Sequence, residues 1–270
     1  MNIFDASILG IVEGITEYLP ISSTGHLILT SKLLGIGEDD ATKVFNIAVQ
    51  LGAIFAVVIL YWDYFLAKIK GLVNKEKLAV RFFLNLFVAF LPVAVVGLLF
   101  ASWIKRVLFS PMWVLAALVV GGLIMILVEK WIKHQHKKPK EIDALTYKDA
   151  LIVGLCQIAS LWPGFSRSMS TILGGRFAGL DAKASTEFSF FLAVPTLGAA
   201  TCYEMFKALR AGDAVFDSQW WTALGVGLFI SFVTAFIVIK VFLVFLRKYP
   251  LSVFGYYRIA LAGILYFLIR

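Results

Sequence analysis

Glu13-Gly-Ile-Thr-Glu17-Tyr-Leu-Pro20-Ile-Ser22-Ser23-Thr24-Gly-His26 is a polar run set between apolar segments, and its reading decides the fold. Glu13 and Glu17 are four residues apart, so on a helix they share one face, one turn above the other. Pro20 ends that helix, because it lacks an N–H and pushes its predecessor out of the helical region. Ser22, Ser23 and Thr24 each suit the cap of a second helix starting near His26. The run therefore predicts a helix, a bend and a helix, with two carboxylates on one arm and an imidazole on the other. A second run, Pro163-Gly-Phe-Ser166-Arg167-Ser168-Met-Ser-Thr171, predicts another bend of the same style. The two bends are expected to meet in one active site.

The surrounding chain is far too apolar for a soluble domain. It is 60% hydrophobic and 16% charged, against roughly 25% charged residues in an ordinary globular protein. This composition predicts an all-α polytopic membrane protein. The net charge of +8 suits loops facing an anionic leaflet, so it argues for a membrane surface and not for nucleic acid. No basic leader precedes the first apolar stretch, which Glu13 and Glu17 interrupt, so no cleavable signal peptide is expected. Cys156 and Cys202 lie in apolar segments and read as buried small residues.

A span needs about 20 apolar residues. Residues 2–19 and 26–35 are too short or too polar, which predicts a re-entrant hairpin. Such backbone survives at membrane depth only where protein buries it or water lines it. Spans are expected over 43–62, 82–104 (containing Pro92) and 111–130, with Lys68, Lys70, Lys75, Lys77 and Arg81 in a loop between the first two. Residues 131–146 form a hydrophilic linker, in which His134 and His136 read as solvated rather than metal-binding.

After the linker the pattern restarts. Gly10-Ile-Val-Glu13 is matched by Gly154-Leu-Cys-Gln157, Pro20 by Pro163, and Ala48–Ala53 by Ala193–Ala199 with one insertion. Pro111 with Gly122 finds Pro250 with Gly263. The single membrane domain 1–270 thus divides into a first repeat, 1–130, and a second, 147–270. The second should hold a hairpin over 147–180 and spans near 185–206, 219–246 and 251–270. Three spans per unit is odd, so the second copy enters from the opposite side, an inverted repeat whose broken helices meet near the midplane. One side then collects Lys68 to Arg81, Lys130 to Lys148, Lys240, Arg247 and Lys248, twice as many cations as the other. The richer side, with the linker, is expected to be cytoplasmic and both termini outside.

Ionisable groups at membrane depth are costly and usually functional. Arg167 offers a planar fork for an oxyanion, and phosphate is its natural guest near helix N-termini. Ser23 beside His26 or a carboxylate base follows the logic of an activated nucleophile. Glu13 and Glu17 near a phosphate suggest a bridging divalent cation. The residues point to phosphoryl chemistry in a membrane pocket, with no substrate identified.

Both runs, together with Glu187-Phe-Ser-Phe-Phe-Leu-Ala-Val-Pro195, resemble the signature motifs of the bacterial undecaprenyl-diphosphatase family, also called bacitracin-resistance proteins. The resemblance implies hydrolysis of undecaprenyl diphosphate to the monophosphate, which recycles the carrier for cell-wall synthesis, in the bacterial inner membrane. It assigns Ser23, His26, Glu17 and Arg167 as catalytic residues. Ser22, Thr24, Ser166, Ser168 and Thr171 would bind the substrate phosphate, and Glu13 with Glu17 a Mg²⁺ or Ca²⁺ ion. The partner is a polyprenyl diphosphate lipid, and a homodimer is left open. Ser23 is expected to attack phosphorus while Glu17 or His26 takes its proton; the alternative puts the covalent step on His26. A second class of function, flipping the lipid product, rests on the transporter-like inverted repeat alone.

Overall fold

The computed structural model describes residues 1–37, 39–108, 110–133, 139–211 and 216–269. Among them the chain is helical throughout, with a single isolated bridge between Lys140 and Leu180. Helix α1 (Ile3–Thr16) opens with the Asn2 side chain accepting from Asp5 N and runs into Glu17, whose N–H still bonds to Glu13 O. The helix ends three residues before Pro20, and α2 (Ser23–Leu33) starts at Ser23 under a Ser22 cap, three residues before the expected start near His26. Helices α3 (Asp40–Ala48) and α4 (Gln50–Leu60) form one 21-residue apolar span interrupted only at Val49.

Helix α5 (Trp62–Val73) and helix α6 (Lys77–Leu108) correct one expectation. The lysine-rich segment from Lys68 to Arg81 is not a loop, because only residues 74–76 separate the two helices. Lys68, within α5, pairs with Asp143 at 2.6 Å and lies over the rings of Tyr64 and Phe82. An aliphatic stem can run along apolar surface while its charge finds a partner, so lysine spacing alone does not mark a loop. Pro92 lies inside α6, and α7 (Pro111–Lys133) follows.

The second half begins with α8 (Tyr147–Ile158), whose start is fixed by a reciprocal capping box between Thr146 and Asp149. Helix α9 (Arg167–Phe177) lies across the second bend. The long helices α10 (Ala182–Ala211), α11 (Ser218–Phe245) and α12 (Ser252–Ile269) complete the chain. Residues 139–146 dock on α5 and α6, where Arg81 donates to Asp143 O and Asn85 to Leu145 O. His134 and His136 lie outside the described residues.

Among the described residues, four stretches are long and apolar enough to cross a membrane: Asp40–Leu60, Lys77–Ile104, Pro111–Lys133 and Ser218–Phe245. Helix α10, longer but more polar, and α12, apolar over Ser252–Phe267, fall short of that measure. The apolar windows of α6 and α11 are only 28% and 22% buried, with Leu98, Leu99, Phe229 and Val241 pointing outward. Water would not tolerate so much contiguous apolar surface, whereas lipid does. Cys202 also faces outward, which corrects its reading as a buried residue. Among the apolar side chains of the interior, Glu13, Glu17, Ser168, Thr171 and Arg258 are also buried. The chain is a multi-pass membrane protein.

Three helix seams position the site. Gly10 and Gly14 of α1 face Gly227 and Ser231 of α11, so these helices run parallel, and a Cβ on Gly10 would sit 2.6 Å from Gly227 O. Gly154 of α8 faces Ala89 and Pro92 of α6, and a Cβ there would sit 2.6 Å from Ala89 O. The third seam joins α7 and α12. Leu115 and Leu118 pack with Leu261 and Leu265, which makes the pair antiparallel. Its contacts are reciprocal: a Cβ on Gly122 would meet Gly255 O at 2.7 Å and Ile259 at 2.9 Å, and one on Gly255 would meet Gly122 O at 2.7 Å and Ile126 at 2.9 Å. Gly122 therefore faces Gly255 across the seam, and Gly263, its expected match, lies in open space.

Candidate active site

Each short helix starts from a serine in the left-handed region, Ser22 at φ 75° and Ser166 at φ 78°. That conformation is costly for a residue with a Cβ and persists only where the surroundings enforce it. Both serines cap their helices, Ser22 Oγ accepting from Gly25 N and Ser166 Oγ from Met169 N. The residue after each cap directs its side chain to the first bend. On α2 that residue is Ser23, and on α9 it is Arg167.

The two meet at Glu17. Ser23 Oγ donates to Glu17 Oε2 at 2.7 Å, and Arg167 Nη2 donates to Glu17 Oε1 at 2.5 Å. The Arg167 and Glu17 side chains are only 8% and 5% exposed. A charge pair so far from water is held by its geometry, since losing either partner would strand the other charge. Arg167 also donates through Nη1 to Ser189 O at 3.1 Å and lies over the Tyr18 ring. Its Nε–H has no hydrogen-bond partner among the described residues.

The remaining hydroxyls of the second bend support the arginine. Thr171 Oγ1 donates to Arg167 O at 2.9 Å, so Ser189 Oγ donates to Thr171 at 2.6 Å. Ser168 Oγ donates to Leu19 O at 2.8 Å, which ties the second bend to the first, and Ser166 then donates to Ser168 at 3.0 Å. Ser166, Ser168 and Thr171 are thus brought to the site, with their protons engaged within the protein. Ser22 is buried at the bend, whereas Thr24 is exposed on the first turn of α2.

His26 is close in sequence to Ser23 but faces another way. Its Nδ1 lies 2.7 Å from Ser22 O and its Nε2 2.8 Å from the Tyr257 hydroxyl. A carbonyl can only accept, so Nδ1 carries the proton, and in the neutral ring Nε2 accepts from Tyr257. The hydrogen bond that could activate Ser23 comes from Glu17 instead.

Glu13 is fully buried one turn behind Glu17, and neither of its oxygens has a hydrogen-bond partner among the described residues. Gln157, its match in the second half, is equally buried, but accepts from Thr196 and donates to Ala89 O, both at 3.4 Å. Two carboxylate oxygens without a partner among the described residues fit a divalent cation, which would need further oxygens from substrate. Among the described residues no group of three His, Cys, Asp or Glu side chains forms a protein-only metal site.

Three residues of the site escaped the sequence reading. Ser189 belongs to the quoted Glu187–Pro195 run and orients Arg167. Tyr257 and Arg258 come from α12. Arg258 is completely buried and donates to Pro20 O, Gly164 O, Ala117 O and Leu118 O. A lone arginine in an otherwise apolar span was the available signal for it.

Relatives of the chain point the same way. The family described as "Bacitracin resistance protein BacA" matches residues 6–264. An undecaprenyl-diphosphatase of Sorangium cellulosum is 47% identical over 98% of this chain and 86% of its own length. Undecaprenyl-diphosphatase 1 of Chromobacterium violaceum is 48% identical over 96% of this chain and 93% of its own. The undecaprenyl-diphosphatase of a Thermoanaerobacter species is 43% identical over 98% and 96% respectively.

Proposed function

The chain belongs to the bacitracin resistance protein BacA family, and on that premise we propose that it hydrolyses undecaprenyl diphosphate to undecaprenyl phosphate and inorganic phosphate. The observation that carries this reading is Glu17, which accepts from Ser23 on one bend and pairs with Arg167 from the other. A serine hydroxyl held by a carboxylate, with a guanidinium on that carboxylate's other oxygen, has the parts for phosphoryl transfer onto Ser23.

In the first step Ser23 Oγ attacks the terminal phosphorus. The Oγ–P bond forms, the bond from phosphorus to the bridging oxygen breaks, and the Ser23 proton passes to Glu17. Undecaprenyl phosphate departs with the bridging oxygen. Protonating Glu17 weakens its hold on Arg167, whose fork then serves the phosphoryl oxygens together with the unpaired Nε–H. Water then attacks phosphoserine, inorganic phosphate leaves, and the Glu17 proton returns to Ser23. His26 would take the proton of that water once its Nε2 is released from the Tyr257 hydroxyl. A Mg²⁺ or Ca²⁺ ion would be held by Glu13 with Glu17 and would neutralise diphosphate charge.

The same reading extends to the membrane. Reciprocal contacts at Gly122 and Gly255, and the matching seams of Gly10 and Gly154, support an inverted repeat with residues 131–146 cytoplasmic and both termini outside. In a bacterial inner membrane such an enzyme would recycle the carrier lipid for cell-wall polymers. By depleting the diphosphate that bacitracin captures, it would confer resistance.

The decisive assay is phosphate release from undecaprenyl diphosphate by the purified protein in detergent. Turnover is expected in the wild type and none in Ser23→Ala, and equal rates in both would remove Ser23 from the chemistry. For topology, a cysteine at Gly37 should label only from outside and one at Glu141 only from the cytoplasm, both positions being exposed. Labelling of both from one side would end the inverted arrangement.

A further inference from the structure

Arg258 is a cation with no surface exposure, and its recorded acceptors are main-chain carbonyls rather than a carboxylate. Burying an arginine without a counter-charge is expensive, so its position needs a reason. Two of its acceptors lie at the same spacing from the left-handed serines of the two bends. Pro20 O lies two residues before the left-handed Ser22, and Gly164 O two residues before the left-handed Ser166. Its other two acceptors, Ala117 and Leu118, lie on α7, the helix that packs reciprocally against Arg258's own α12. One guanidinium thus bonds the same place in both bends at the seam between the repeats.

Space has been left for it. A Cβ on Gly121 would collide with Arg258 Nη2 and come within 3.1 Å of Met169 Sδ. Met125, buried on the facing helix, shows that the seam does not call for a second charge there. Across the site, Ser168 donating to Leu19 O is a further tie between the bends, but it is a single bond between neutral groups.

We propose that Arg258 is a positioning residue for the phosphoryl transfer assigned above: its guanidinium clamps both bends so that Ser23 and Arg167 face one phosphoryl group, and its uncompensated charge favours the bound anion. Lysine cannot replace it, because one ammonium on a flexible stem does not span carbonyls on three segments. The inference rests on the proposed phosphatase reading, and its test is arranged to fail separately.

The experiment compares wild type with Arg258→Lys, Arg258→Met and Gly121→Ala in one detergent. It measures folded fraction by size exclusion and thermal melting, turnover per folded molecule, and calorimetric affinity for inorganic phosphate. Displacing the bends should lower kcat by about 10²-fold in all three variants, as small misplacements of reacting groups do. Phosphate affinity should stay within about threefold of wild type in Arg258→Lys and Gly121→Ala, which keep the cation, and fall by about tenfold in Arg258→Met. Turnover per folded molecule within threefold of wild type in Arg258→Met or Gly121→Ala would overturn the clamp. So would full rescue of kcat by lysine, since charge alone would then suffice. If the wild type releases no phosphate from the lipid, the phosphatase reading fails. The phosphate affinities of Arg258→Met and wild type then decide the anion role, and equal values overturn it.

Discussion

The two bends share a scaffold and differ in chemistry. Each follows a helix whose buried glycine meets a neighbouring carbonyl, turns through a left-handed serine, and caps a short helix with that serine. At equivalent positions the first bend carries Glu13 where the second has Gln157, and Ser23 where the second has Arg167. Gln157 is hydrogen-bonded, but Glu13 is buried with both oxygens unpaired among the described residues. The second bend behaves like a structural element, in which nearly every hydroxyl has its proton committed to the protein. The first holds the unspent groups. On the proposed reading the first bend supplies base and nucleophile and the second the cation, so neither bend alone makes a site.

That division is most exposed at Glu17, the residue both bends use. Glu17→Gln removes the proton acceptor of Ser23 and leaves Arg167 buried without its counter-charge. Turnover should fall by about 10²–10⁴-fold, the usual size of a general-base contribution. Rates within a few-fold of wild type, measured on protein shown to be folded, would mean that Ser23 finds its base elsewhere and the bends are not coupled through Glu17.

The next effect tests the second bend's share. Arg167→Lys keeps the charge but loses the fork that reaches Glu17 and Ser189 together. A loss of about 10²–10³-fold in kcat is expected, comparable to deleting one donor from an oxyanion site. Near-normal turnover would reduce Arg167 to a neutralising partner of Glu17 and leave the first bend working alone.

Much of this architecture was legible because membrane helices advertise themselves. Long apolar runs such as Pro111–Lys133 need little tertiary information, and polar residues inside them are conspicuous. The amphipathic continuation through α5 was missed because Lys68 reaches Asp143 from over the rings of Tyr64 and Phe82, a tertiary fact. Gly10 and Gly154, matched in the sequence, each sit against the backbone carbonyl of a neighbouring helix. Which glycine of α12 faces Gly122 was not legible, since small residues recur in that helix and only contacts choose Gly255. In the site, motif residues were found but their directions were not. His26 turns away from Ser23 because Ser22 O and Tyr257 hold its two nitrogens, and Tyr257 lies 231 residues further along the chain. Arg258 was readable as a lone charge in a span, whereas its four carbonyl partners were not.

The central claim is that the covalent step belongs to Ser23, activated by Glu17, rather than to His26. Acid-quenched single-turnover hydrolysis of terminally ³²P-labelled undecaprenyl diphosphate tests it directly. The account predicts an acid-stable label on Ser23 in the wild type, no label in Ser23→Ala, and a label that persists longer in His26→Ala because only its hydrolysis is slowed. An acid-labile label that survives in Ser23→Ala and vanishes in His26→Ala would contradict it.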